Sequence, residues 1–259
     1  MPKAGNTAAE YEDAFGVSKT SPDSTFRSVV AIADGASESL LSRQWAKLLV
    51  KRFVRHWQEP SELDEWLSDT LRAWQHEKRS YLRQRVREHK PIQWYEEPGL
   101  EAGAFAALLG LVITRPDASN ESSNGCGYTW RAVAVGDCCL FQMRADVCIR
   151  SFPVTESRAF TNRPFLLSSN LARNAGIAER FQFAEGDAQR HDRFFLMTDA
   201  LAAWFLYEIE NGAAPWRELS NLFRAKNPAQ AVGEWIKARR TAHELRNDDV
   251  TLIELEILD

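Results

Sequence analysis

The stretch Phe26-Arg27-Ser28-Val29-Val30-Ala31-Ile32-Ala33-Asp34-Gly35-Ala36-Ser37 decides how this chain is read. Phe26 to Ala33 is a short apolar run of the kind that forms a buried strand. Asp34-Gly35-Ala36-Ser37 ends it sharply, because Asp, Gly and Ser favour turns over ladder pairing. A helical period then begins, with Leu41, Trp45, Leu48, Leu49 and Phe53 on one face. A carboxylate is thus set at the end of a rigid strand, beside a helix start.

Working outward, Pro60 closes that helix region. Ser61-Glu62-Leu63-Asp64 resembles a capping box and predicts a second helix to about His89, with Leu63, Leu67, Leu71, Trp74, Tyr81 and Leu82 as its apolar face. Strands are expected at Ala104–Thr114, Thr129–Val135, Cys139–Arg144 and Val147–Phe152, with Gly136-Asp137 as a tight turn. Ala118–Gly127 reads as a long hairpin loop. Two more strands, Arg180–Ala184 and Arg193–Met197, are expected, with Glu185-Gly186-Asp187 between them. Helices follow Thr198-Asp199 (Leu201, Phe205, Ile209) and Asn227-Pro228 (Val232, Trp235, Ile236), where Pro takes the first helical position. Val250–Leu258 is the last strand.

This order excludes a regular βαβα alternation. It predicts an α+β sandwich of antiparallel sheets with segregated helices. The last strand is expected to return to the sheet begun more than 200 residues earlier, making residues 1–259 a single domain.

The 259 residues are 44% hydrophobic and 26% charged, an ordinary globular composition. That length buries a core without disulfides or structural metal. The formal net charge of −4 offers no basic excess for nucleic acid or anionic lipid, so neither is an expected partner. The N-terminal residues lack the apolar segment of a secretory signal, and the longest apolar run, Ala104–Ile113, is about half a membrane span. A cytoplasmic location is expected. Cys126, Cys138, Cys139 and Cys148 have no C-x-x-C spacing; they read as free thiols of a reducing compartment and not as a zinc site.

The P-loop, nucleophile-elbow and H-E-x-x-H patterns are absent, and Gly125-Cys126-Gly127 lacks the third glycine of a dinucleotide fingerprint. His56, His76, His89 and His243 lie in polar helical surroundings and read as solvated, while His191 reads as a turn residue. What remains is acidic residues at element ends: Glu12-Asp13 before Ala14, Asp34-Gly35, Asp199 after Thr198, and Asp248-Asp249 before Val250. Singly, each has an ordinary explanation as a cap or turn former. Four such places in one chain can converge on a hard divalent cation, which takes carboxylate, carbonyl and water oxygens.

The set resembles the metal-dependent protein phosphatases, the type 2C serine/threonine phosphatases. The matching pieces run in that family's order: Glu12-Asp13-Ala14, Val30-Ala31-Ile32-Ala33-Asp34-Gly35, Gly103-Ala104-Phe105-Ala106, Val135-Gly136-Asp137, Met197-Thr198-Asp199, and Asn247-Asp248-Asp249-Val250-Thr251. The resemblance implies a four-layer α-β-β-α sandwich of two antiparallel sheets flanked by helices. It implies two ions, Mn²⁺ or Mg²⁺, with Asp34 bridging them, Gly35 lending its carbonyl, and Asp199 and Asp248 on the second ion. Glu12 and Asp13 would act through metal-bound waters. A water held between two cations loses a proton more easily and attacks phosphorus in line, without a covalent phosphoenzyme. Asp34, Asp199 and Asp248 are therefore the expected catalytic set. The implied substrate is a phosphorylated protein in a signalling role, with a Ser/Thr kinase as counterpart.

The chain departs from the family pattern in places. Ala36-Ser37-Glu38 follows the first Asp-Gly where small glycine-rich runs are usual, Phe105-Ala106 replaces a Thr-Ala, and Ala200 stands where Gly usually follows the third Asp. Ala8 stands where an arginine often binds phosphate, so another base must supply that charge. Ala203 replaces a second acidic residue, and Glu101 is out of register to compensate, so a third ion is expected to be weak or absent. These departures keep a second reading open, a pseudophosphatase or regulatory binding module of the same fold. A phosphatase for a small phosphorylated metabolite is a third. The basic stretch Lys78–Lys90 reads as a solvated helix face or as a docking site for an acidic partner.

Overall fold

A computed structural model describes residues 1–20, 27–57, 59–115, 127–161 and 163–258. In chain order the first elements are β1 (Ala14–Thr20), β2 (Arg27–Gly35), α1 (Ser42–His56), α2 (Leu63–Arg87), α3 (Glu97–Ala102), β3 (Phe105–Thr114) and β4 (Tyr128–Val135). Next come β5 (Cys139–Arg144), β6 (Val147–Phe152), β7 (Leu167–Ser168), β8 (Gln182–Ala188) and β9 (Arg193–Met197). The last are α4 (Asp199–Glu210), α5 (Pro215–Phe223), α6 (Pro228–Thr241) and β10 (Leu252–Glu256). Both sheets are antiparallel and carry helices, the α+β arrangement expected. The chain forms two compact units: Glu12–Gly136 with Phe165–Asp187, and Met1–Tyr11 with Asp137–Pro164 and Ala188–Asp259.

In the first unit the sheet order is β1-β2-β3-β4-β8, with β7 added to β3. β2 and β3 are buried along almost their whole length, which is why they read as unbroken apolar runs and not as alternating ones. Asp34 pairs in register with Ala107, and Gly35 with Ala106. Helix α1 lies on this sheet through Trp45, Leu49 and Phe53, all fully buried, and the Trp45 indole N–H donates to the Leu167 carbonyl at 2.9 Å. Phe53 stacks on Trp57 at 5.1 Å, and Trp57 meets Trp66 of α2 edge-on at 5.6 Å. These aromatic contacts fasten α2 to α1.

In the second unit the order is β10-β9-β5-β6. Phe141 of β5 packs on Phe205 of α4 with ring centroids 4.5 Å apart, and Trp204 meets Trp235 of α6 at 4.8 Å. The β9–β10 register fixes the chain on both sides of Thr198: Met197 pairs with Leu252, and the Thr198 hydroxyl accepts from the Thr251 amide at 2.9 Å.

Four expectations are corrected. The last strand pairs with β9, so it closes the second sheet and does not return to the first. Glu185-Gly186-Asp187 does not lie between strands; β8 continues through it to Ala188 instead of ending at Ala184. Gly186 is there for proximity, since a Cβ would stand 2.9 Å from the Trp130 ring. The capping box is not made either. A 3₁₀ turn at Pro60–Glu62 leads into α2, and Glu62 at the cap position makes no side-chain cap bond. Finally, the Asp34-Gly35 pair ends β2 as part of the strand, paired to β3, instead of forming the turn after it. Phe26, Cys126 and Ala118–Gly127 other than Gly127 lie outside the described residues. Cys138, Cys139 and Cys148 are free thiols, and burial pushes the Cys148 thiol up to about 11. His191 occupies a turn with φ +68, as its neighbours predict. No helix among the described residues is long and apolar enough to cross a membrane.

Candidate metal centre

In the first unit, β2 delivers Asp34 and Gly35, and the segment entering β1 delivers Glu12 and Asp13. β1 and β2 are antiparallel neighbours with Ala14 opposite Ala33, so Glu12-Asp13 and Asp34-Gly35 come to the same end of the sheet. Asp13 is buried and Asp34 half-buried. The Glu12 Oε1 accepts from the Ser42 hydroxyl at 2.5 Å, which fixes this carboxylate against the start of α1. Gly35 is pressed between those two residues: a Cβ on it would stand 2.9 Å from the Glu12 carbonyl oxygen and 3.1 Å from Ser42 Cβ. Only glycine leaves backbone room there. The Ala36-Ser37-Glu38 departure is accommodated by a turn in which the Ser39 amide and hydroxyl both donate to the Ala36 carbonyl at 2.9 Å. The Ala36 amide reaches Phe105 of β3, so the strand end stays pinned.

In the second unit three carboxylates gather. Asp137 follows Gly136 at the entrance to β5, Asp199 is the first residue of α4, and Asp248 precedes β10. Asp137 is buried, and its Oδ2 has no hydrogen-bond partner. Burial, then the Asp199 charge and to a smaller extent Asp248, push the Asp137 carboxyl up to about 7, against the opposing pull of Arg246. Burial also raises Asp248, with Asp199 adding to it. Asp199 Oδ1 accepts from the Ala200 amide, and its Oδ2 accepts from Arg246 Nη2 at 2.7 Å.

The segment carrying Asp248 is tied down from afar. Arg240 donates to the carbonyls of Asp248 and Pro2, the Ala4 amide donates to Asn247 Oδ1 at 2.7 Å, and the Lys3 amide donates to Asp249 Oδ1 at 2.8 Å. Asp249 faces this strap; its amide in turn donates to Asp248 Oδ1 at 2.9 Å.

Within each unit the donors are hard oxygens, the ligand type of Mg²⁺ and Mn²⁺. A buried carboxylate oxygen without a partner, on an Asp137 carboxyl that neighbouring acids push up, fits a cation better than it fits water. Among the described residues no three acidic, His or Cys side chains already form a cation cage. Ala8 and Glu101 are exposed, and the Glu101 carbonyl accepts from the Asn170 side-chain amide.

Two residues escape a sequence reading. Asp137 sits in a quoted motif but is given no role there, although Gly136-Asp137 follows a buried strand much as Asp34 ends one. Arg246 is a base two residues before Asp248, a charge reversal inside an acidic segment.

The profile of the family described as protein phosphatase 2C matches residues 7–238, so the match stops short of Asn247–Thr251. No curated protein matches in sequence. Among solved structures, the Mycobacterium tuberculosis serine/threonine phosphatase PstP/Ppp is 15% identical with a TM-score of 0.53, covering 100% of this chain and 97% of its own. The catalytic domain of PstP in complex with two manganese ions is 14% identical with a TM-score of 0.50, covering 100% and 96%. The photosystem II phosphatase PBCP is 13% identical with a TM-score of 0.51, covering 95% and 91%. At these identities the likeness is one of fold.

Proposed function

The chain belongs to the protein phosphatase 2C family, and on that premise we propose that it is a metal-dependent phosphoprotein phosphatase acting on phosphoserine and phosphothreonine esters. Asp34, the Gly35 carbonyl, Asp199 and Asp248 are the ligands of two ions, Mn²⁺ or Mg²⁺, and Glu12 and Asp13 orient the waters around them. When bound, the ions supply Lewis acidity and an acidified water for in-line attack on phosphorus. The protein's own contribution is positional. β2, pinned to β3, fixes Asp34 and Gly35; the Ser42 hydroxyl fixes Glu12; the start of α4 fixes Asp199; and the Arg240 strap fixes the Asp248 backbone. The whole of residues 1–259 serves as one catalytic domain, cytoplasmic, opposed by a Ser/Thr kinase.

The observation that carries this reading is the gathering of half-buried Asp199 and Asp248 against the buried Asp137, whose carboxyl they push up and whose Oδ2 has no hydrogen-bond partner. Such a group costs stability unless a cation offsets it. Mn²⁺-dependent hydrolysis of an aryl phosphate and of a phosphoserine peptide tests it. Asp34→Asn and Asp199→Asn are each expected to lower kcat/KM by at least about a hundred-fold, equivalent to roughly 3 kcal/mol of transition-state stabilisation. Undiminished hydrolysis in either variant refutes the ligand set. The second reading, a binding module without turnover, draws on Arg246 at Asp199; a wild-type chain that folds, binds no Mn²⁺ and hydrolyses nothing would establish it.

A further inference from the structure

Arg246 is bonded to a carboxylate that the proposed chemistry needs. Its Nη2 donates to Asp199 Oδ2 at 2.7 Å, and Asp199 Oδ1 is already accepting from the Ala200 amide. Both oxygens are engaged. A divalent ion that takes Asp199 must win an oxygen from a guanidinium, since the two cations compete for the same lone pairs. The other bases of this region are committed differently. Arg240 donates to the carbonyls of Pro2 and Asp248 and has its Nε buried, so it braces backbone. The Lys3 charge opposes the rise of Asp248, and its backbone amide holds Asp249. The Arg246 side chain is 43% exposed, against 14% for Asp199, so it has solvent to swing into.

We propose that Arg246 is the resident counter-ion of this acidic set: it neutralises Asp199 when no ion is bound, yields that carboxylate to an incoming divalent ion, and then offers its guanidinium to the phosphoryl oxygens of the bound ester. Asp137, Asp199 and Asp248 need positive charge in either state. One guanidinium supplies part of it, and a divalent cation supplies more from a smaller volume and repels the guanidinium it replaces. A guanidinium displaced by a small step carries a planar fork of N–H donors, the geometry that suits phosphate oxygens bidentately. The inference rests on the phosphatase reading for its metal and phosphate steps, while the ion pair itself does not.

The test uses the full chain as wild type, Arg246→Gln and Arg246→Lys. Mn²⁺ is titrated calorimetrically, melting is followed in EDTA, and inorganic phosphate is titrated into the Mn²⁺-loaded proteins. Arg246→Gln is expected to bind Mn²⁺ about ten-fold tighter and to melt lower in EDTA, because a competing cation and a needed counter-ion are lost together. Arg246→Lys, which keeps the charge, is expected to return both readouts most of the way to wild type. Phosphate binding is expected to weaken about ten-fold in both variants, because a point charge does not replace a bidentate fork. Equal Mn²⁺ affinity in wild type and Arg246→Gln overturns the counter-ion role, and unchanged phosphate binding overturns the substrate role. Two-ion binding with turnover but without any Arg246 effect removes this inference and leaves the proposed function standing. No Mn²⁺ binding by wild type or Arg246→Gln removes both. Binding by Arg246→Gln alone supports the counter-ion role and removes turnover by the native chain.

Discussion

Asp137 shows what a single carboxylate costs when the fold buries it. Its carboxyl is pushed up to about 7 from an ordinary 3.8 by burial, then by Asp199, with Asp248 adding to it. Between those two pH values the folded chain holds a proton that the unfolded chain has lost. Stability from this group is therefore complete below about pH 4, is lost progressively as pH rises to about 7, and stays lost above it. A shift of this size corresponds to a few kcal/mol. Asp248 is raised by the same causes and acts with the same sign. Asp137→Asn, melted in EDTA, is expected to be more stable than wild type at pH 8 and to lose most of the decline between pH 4.5 and 7.5. A wild-type chain without that decline would count against the burial argument. The sequence flags Glu12, Asp13, Asp34, Asp199 and Asp248 because each stands at the end of an apolar run. It does not flag Asp137 as a buried acid with an unpartnered Oδ2, because Gly-Asp between strands has a complete explanation as a turn and burial is not written locally. Arg246 is less legible still: the carboxylate it meets is 47 residues away, and only the β9–β10 pairing brings the two segments together.

At the scale of elements, what can be read follows periodicity. β5, β6 and β9 take the residues that alternation and turn chemistry assign, and α1, α4 and α6 follow their apolar faces. The short elements α3, α5 and β7 were not legible, since each is too brief for a period to declare itself and owes its form to neighbours. Close approaches are similarly hidden, as with Gly186 over Trp130. Gly110 of β3 gives the strongest case, because a Cβ there would stand 2.1 Å from Phe53 Cζ of α1. Phe53 is 1% exposed and stacked on Trp57, so it has no free rotamer to retreat into. Gly110→Ala is expected to destabilise the chain by roughly 1–3 kcal/mol, as overpacked cores do. Phe53→Leu alone leaves a cavity and also costs stability, but the double variant is expected to be more stable than the sum of the two single losses. Strict additivity in urea or thermal melts would mean that α1 does not rest on Gly110. Because α1 also carries Ser42, which holds Glu12, the packing under Phe53 and the aim of that carboxylate are parts of one arrangement.

For the molecule as a whole, the net charge of −4 takes on a specific meaning. It first served to set aside nucleic acid and anionic lipid as partners. If two divalent ions bind, their charge equals that deficit, so the small acidic excess is a property of the site as much as of the surface. Part of it sits in Asp137 and Asp248, which are charged against the preference of their surroundings. The backbone around Asp248 is meanwhile held by contacts spanning nearly the full sequence, from Lys3 to Asp249 and from Ala4 to Asn247. A chain arranged in this way pays for a preformed acidic site when the ion is absent and recovers stability when it arrives. Mn²⁺ at a hundred times its dissociation constant is expected to stabilise the fold by about 2.7 kcal/mol per site, a rise in melting temperature of several degrees for a domain of this size. Asp34→Asn removes the carboxylate proposed to serve both ions and is expected to abolish most of that rise while leaving the melting point in EDTA at or slightly above wild type. Should Asp34→Asn gain as much from Mn²⁺ as wild type does, the ion would be stabilising the chain from somewhere else, and the charge balance would have to be sought among other acids.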